Sequence, residues 1–115
     1  MADWAKIDVG FLRHPQVVQL TAQQQRHYLA LILYAQEYET DGHVPDPALR
    51  ICDVATKDVK AMHEAGLIDR NGTGWVISGF TRKQRTKAEL DAMRKQRRGA
   101  ARSRWDHAKE TTDAA

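Results

Sequence analysis

Residues 56–80 read TKDVKAMHEAGLIDRNGTGWVISGF, and the change of period inside this stretch decides the fold. Val59, Met62 and His63 fall on one side of a helix beginning at Thr56, with Asp58 in its first turn, where a negative charge complements the helix dipole. Gly66 supplies the left-handed residue that ends such a helix, and Leu67 the apolar residue that follows. Leu67-Ile68 and Trp75-Val76-Ile77 then read as strands. Between them Asn71-Gly72-Thr73-Gly74 is hairpin chemistry, because glycine accepts the positive φ of a tight turn.

Upstream, Asp46-Pro47 predicts a helix start, an Asp cap with Pro at the first helical position. Leu49, Ile51 and Cys52 are expected to face inward from this short helix, and Asp53 to Ala55 to turn the chain into the next one. His43-Val44 forms a brief extended piece after Thr40-Asp41-Gly42, which favours a tight turn. Thr21 and Gln24 stand at capping-box spacing. They open a long helix in which Tyr28, Leu31, Ile32, Ala35 and Tyr38 recur on one face, widened by Leu29 and Leu33. Nearer the N-terminus, Ile7, Val9 and Phe11 alternate as a strand or an extended arm would, and Pro15 suits the first turn of a short helix through Val17, Val18 and Leu20. The predicted order is helix, extended piece, helix, helix, hairpin. That order defines a mainly α winged helix-turn-helix domain over residues 1–80, with the hairpin as its wing.

Residues 81–115 differ in composition. Between Arg82 and Arg104 stand ten cations, Arg82, Lys83, Arg85, Lys87, Arg94, Lys95, Arg97, Arg98, Arg102 and Arg104, opposed only by Glu89 and Asp91, so this stretch carries +8 and the remainder −5. A polyanion-binding extension on a mildly acidic domain is the reading of such asymmetry. Thr86 and Glu89 repeat the capping-box spacing and open a basic helix bearing Leu90 and Met93, which Gly99 is expected to weaken. Trp105 is an isolated aromatic in this extension, suited to packing or oligomer contact and also to stacking on a base. Lys109 to Ala115, small and polar, are expected to be disordered.

Several function classes find no support. The longest apolar run, Tyr28 to Ala35, is far short of the ~20 residues of a membrane span. The early acid at Asp3 and the lack of an apolar core near the N-terminus do not fit a secretion signal. Cys52 is the only cysteine, which excludes an internal disulfide and suits a reducing cytoplasm. It reads as a small core residue, not a nucleophile. His14, His27, His43, His63 and His107 form no zinc-ligand spacing with one another or with Cys52. Neither a phosphate-binding glycine loop nor a nucleophile elbow is present. The expectation is a binding protein with no catalytic residues, metal or cofactor.

Trp4-Ala5-Lys6-Ile7-Asp8 with Phe11-Leu12-Arg13-His14-Pro15 resembles the opening of phage replication-initiation or replisome-organiser N-terminal domains. So do Thr40-Asp41-Gly42-His43-Val44-Pro45, Glu64-Ala65-Gly66-Leu67-Ile68 and Trp75-Val76-Ile77-Ser78-Gly79-Phe80, the likeness running from Trp4 to Lys87. The resemblance implies a winged-helix DNA-binding protein of replication initiation or gene regulation. In that family the winged helix also serves oligomerisation, which makes a homodimer compatible with it. Full organisers continue into a partner-engaging domain, whereas this sequence continues into a basic extension.

In a winged helix the second helix of the helix-turn-helix enters the major groove. Here it exposes Thr56, Lys57, Lys60, Glu64 and Asp58, of which Thr56, Lys57 and Lys60 are the DNA-binding candidates. It has no Arg, Asn or Gln to read a base bidentately, and its acids oppose the phosphates. Arg70 and Asn71 at the wing tip are further candidates, and the ten cations from Arg82 to Arg104 complete the set. Double-stranded DNA is the expected partner. A replication or host regulatory protein bound through the winged helix, or RNA bound by the extension, are the competing readings.

Overall fold

A computed structural model describes the backbone of residues 2–113 and the side chains of residues 2–105. The chain divides into two compact units, Met1–Arg85 and Thr86–Ala115. The first therefore runs beyond residue 80, because Gln84 is buried and its side-chain amide both accepts from the Lys6 backbone N–H at 2.7 Å and donates to the Lys6 carbonyl.

The first unit is mixed α/β, helix-rich with a small three-stranded antiparallel sheet. A 3-10 turn, Phe11–Arg13, precedes α1, Pro15–Val18, which has Pro15 at its first position and His14 as its cap. The residues before it form no strand. Val9 is 98% exposed, Val9-Gly10 form a turn and Phe11 opens the 3-10 turn, so the alternation of Ile7, Val9 and Phe11 marks no strand. Next comes α2, Ala22–Glu37, opened by a complete capping box in which Gln24 N–H donates to Thr21 Oγ1 at 3.2 Å and Thr21 N–H to Gln24 Oε1 at 3.0 Å. Its inner face carries Tyr28, Leu31, Ile32 and Ala35 as expected. Leu33 and Tyr38 instead point to solvent, and His27 and Gln36 take the flanks of the buried stripe.

Strand β1, His43–Pro45, leads into α3, Ala48–Ile51, and α4, Thr56–Glu64, and then into the hairpin of β2, Ile68–Asn71, and β3, Gly74–Ile77. The expected Asp46 cap does not form. Pro47 occupies the cap position with no side-chain hydrogen bond, because the Asp46 carboxylate is drawn to Arg70 across the sheet. Only Ala48 of α3 is fully buried, Leu49 and Cys52 are half-buried, and Ile51, expected to face inward, is 71% exposed. By contrast α4 ends as read. Gly66 adopts φ +78 and donates to His63 O, and Leu67 N–H donates to Met62 O, the paired bonds of a Schellman cap. Gly72, at φ +59, takes the first of the two hairpin loop positions.

The strands order as β1-β3-β2, so β1 extends the hairpin into a sheet and Pro45 sits safely on an edge strand. Ile68 and Ile77 face each other across the β2–β3 ladder and point into the core with Val44. Leu31, Met62, Ile68 and Val44 are its most completely buried large side chains, each contributing about 1.5–3 kcal/mol relative to exposure. A short helix, α5, Phe80–Lys83, closes the unit by burying Phe80.

Gly74 is required by close approach, since a Cβ there would lie 2.6 Å from the Val44 carbonyl oxygen and 2.9 Å from Pro45 Cα. Gly74→Ala should therefore push β1 off β3 and destabilise the unit by about 1–3 kcal/mol. Urea denaturation checks this, and an unchanged midpoint would show that β1 is not held against β3 as described.

The second unit is one helix, α6, Lys87–Asp113, with Thr86 Oγ1 accepting the Glu89 N–H at 3.2 Å. It runs through Gly99 without a break, and its backbone is helical from 109 to 113, where disorder was expected; the last two residues of that expectation lie outside the described ones. Among the described residues no helix is long and apolar enough to cross a membrane.

Candidate nucleic-acid interface

Two surfaces hold the predicted residues. On the first unit, α4 exposes Thr56, Lys57 and Lys60 along with His63 and Glu64. Asp58, expected on this surface, is 3% exposed and its Oδ2 lies 2.9 Å from Nδ1 of the equally buried His27. This contact pins the first turn of α4 to α2 and removes one of the acids that would repel phosphate.

Arg70 and Asn71 lie at the end of β2 and are exposed, but the Arg70 guanidinium is engaged. It donates two hydrogen bonds to Asp46, at 2.7 and 2.9 Å, and lies over the ring of Trp75, 5.1 Å from its centroid. Trp75 is the cross-strand partner of Arg70, so the pleat itself brings the two together. His63 also meets the Trp75 ring, edge-on at 5.4 Å. Hydrogen bonding from Arg70 holds the Asp46 carboxyl below the usual carboxylate range, and the same contact pushes Arg70 up. The pairing thus operates above the ordinary carboxylate range and is lost as pH falls through the depressed value of Asp46.

Of the ten C-terminal cations, Arg82 and Lys83 are exposed on α5 and Arg85 ends the first unit. The other seven all lie on α6. At about 100° per residue, Lys87, Arg94, Lys95, Arg97, Arg98, Arg102 and Arg104 occupy one half of the helix circumference. The other half carries small or uncharged side chains such as Ala88, Ala92, Gln96, Gly99 and Ser103, with Glu89. Trp105, 72% exposed, projects from the basic half, close in phase to Arg94 and Arg98. Asp91 is the acid within that half, and Arg94 donates to it at 3.2 Å.

The cations are evident in the sequence, but their common phase is not. A helical count carried across Gly99 finds the one-sided arrangement, whereas the Asp46–Arg70 and His27–Asp58 contacts have no local signal. Elsewhere, the Cys52 thiol is half-buried and pushed up, first by burial and then by Glu37, which disfavours the thiolate. Comparison with known proteins returned no matching family model, no matching curated protein and no matching solved structure.

Proposed function

We propose that the chain is a phage-type DNA-binding protein of replication initiation or gene regulation, in which a winged helix carries a basic helix that grips the phosphate backbone. The observation that carries this reading is the gathering of seven cations on one half of α6. A rod with one cationic side can lie against a polyanion and neutralise several phosphates at once, releasing their counterions. Scattered cations would use fewer at a time. Trp105 on the same side adds a ring able to stack where a base is accessible.

The winged-helix reading rests on the order α3, α4, β2, β3, with β1 added at the hairpin's edge. In this reading Thr56, Lys57 and Lys60 meet the groove and Asn71 the backbone, while Arg70 stays paired with Asp46 and shapes the wing more than it contacts DNA. The first unit then orients the complex and α6 supplies most of the affinity, with little sequence preference. Salt-titrated binding of a random duplex to the full chain and to residues 1–85 tests the division of labour. A preference for RNA in direct competition would replace DNA as the partner.

A further inference from the structure

The segment before α1 and the face of the core beneath it enclose a cleft of about 540 Å³, within the ~300–1,000 Å³ of ligand-binding sites. Its inner surface is apolar, built by Phe11, Tyr28, Ile32, Leu67 and Phe80. The cations Lys6, Arg82 and Lys83 also line it, against the single acid Asp8. Asp8 is already engaged, its Oδ1 accepting the Gly10 N–H at 2.8 Å. None of the three cations has an acidic partner among the described residues. Val9 and Leu12, next in sequence to the lining residues Asp8, Gly10 and Phe11, are 98% and 64% exposed.

These features select an occupant. Nucleic-acid bases need an open ring face, but Phe11 and Tyr28 stack on each other at 5.7 Å. The space suits an inserted apolar side chain instead, and the cationic rim suits carboxylates flanking it. We propose that this cleft of the first unit docks an acidic segment of a partner protein, anchored by a large apolar side chain.

The test uses the full chain and a synthetic peptide in which Leu and Phe alternate with Asp and Glu. Isotope-labelled protein titrated with this peptide should shift the amides of Lys6, Phe11, Ser78 and Phe80, which belong to or border the cleft. A control peptide with Ser at each apolar position should bind at least about tenfold more weakly. Lys6→Glu, which leaves the backbone bonds to Gln84 intact, should weaken the first peptide about fivefold. Shifts confined to residues 87–105, or equal binding of the Ser peptide, would reduce the effect to general attraction by the basic helix and overturn the proposal. Displacement of the peptide from the cleft by a single-stranded oligonucleotide would overturn it in favour of nucleic acid.

Discussion

Truncation after Arg85 is expected to lower affinity for a random duplex about 100-fold at low salt and to flatten its salt dependence. The magnitude follows from the geometry of α6. Seven cations share one half of the helix, and Asp91 engages one of them. If about five reach phosphates, the slope of log K against log salt is about −4.5, equivalent to a loss of about 500-fold between 0.05 and 0.2 M. Residues 1–85 keep Lys57 and Lys60 and should show a slope near −1 to −2, as one or two phosphate contacts give. Fluorescence anisotropy over a salt series measures both, with circular dichroism confirming that residues 1–85 stay folded. Equal slopes for the two proteins would place the phosphate contacts on the first unit and leave α6 without a role.

Asp58→Ala should be strongly destabilising. Asp58 and His27 are each 3% exposed and 2.9 Å apart, so removing the carboxylate strands a buried imidazole with no partner. Breaking such a pair from one side costs about 3 kcal/mol, which for a unit of this size lowers Tm by roughly 15 °C. The loss would also free the first turn of α4 from α2, the turn that carries Thr56 and Lys57. Replacing both partners with leucine should recover part of the loss, because no polar group is then left unpaired. Calorimetry of the two single variants and the double variant resolves this. A loss below about 1 kcal/mol for Asp58→Ala would mean that the pair contributes little to holding the helices together.

Local chemistry was legible wherever the partners are close in sequence. The Thr21–Gln24 box, the Gly66 cap and the Gly72 loop each need only neighbouring residues, and each forms as read. Long-range competition explains the departures. Asp46 reads as a helix cap, but two charge-assisted hydrogen bonds to Arg70, 24 positions away, outcompete one capping bond. Asp58 reads as an exposed first-turn acid, and only the approach of α2 reveals its burial against His27. Leu33 and Ile51 fit apolar patterns, yet the core facing α2 and α3 is too narrow to cover them. For the candidate interface the residues were legible and their phase was not. Gly99 suggested an interruption, but its helix cost of about 1 kcal/mol is small beside the run of Ala, Arg, Lys and Gln around it.

On the proposed function, the placement of cations on one half of α6, and not their number alone, makes the nucleic-acid contact. Moving two of them is the test: Arg98→Gln and Arg102→Gln combined with Ala92→Arg and Gln96→Arg keep the net charge and transfer two cations to the opposite half. The measurement is the salt slope for a random duplex. The expected slope is shallower by about 2, with affinity reduced about tenfold or more at low salt. An unchanged slope and affinity would contradict it, since total charge would then suffice.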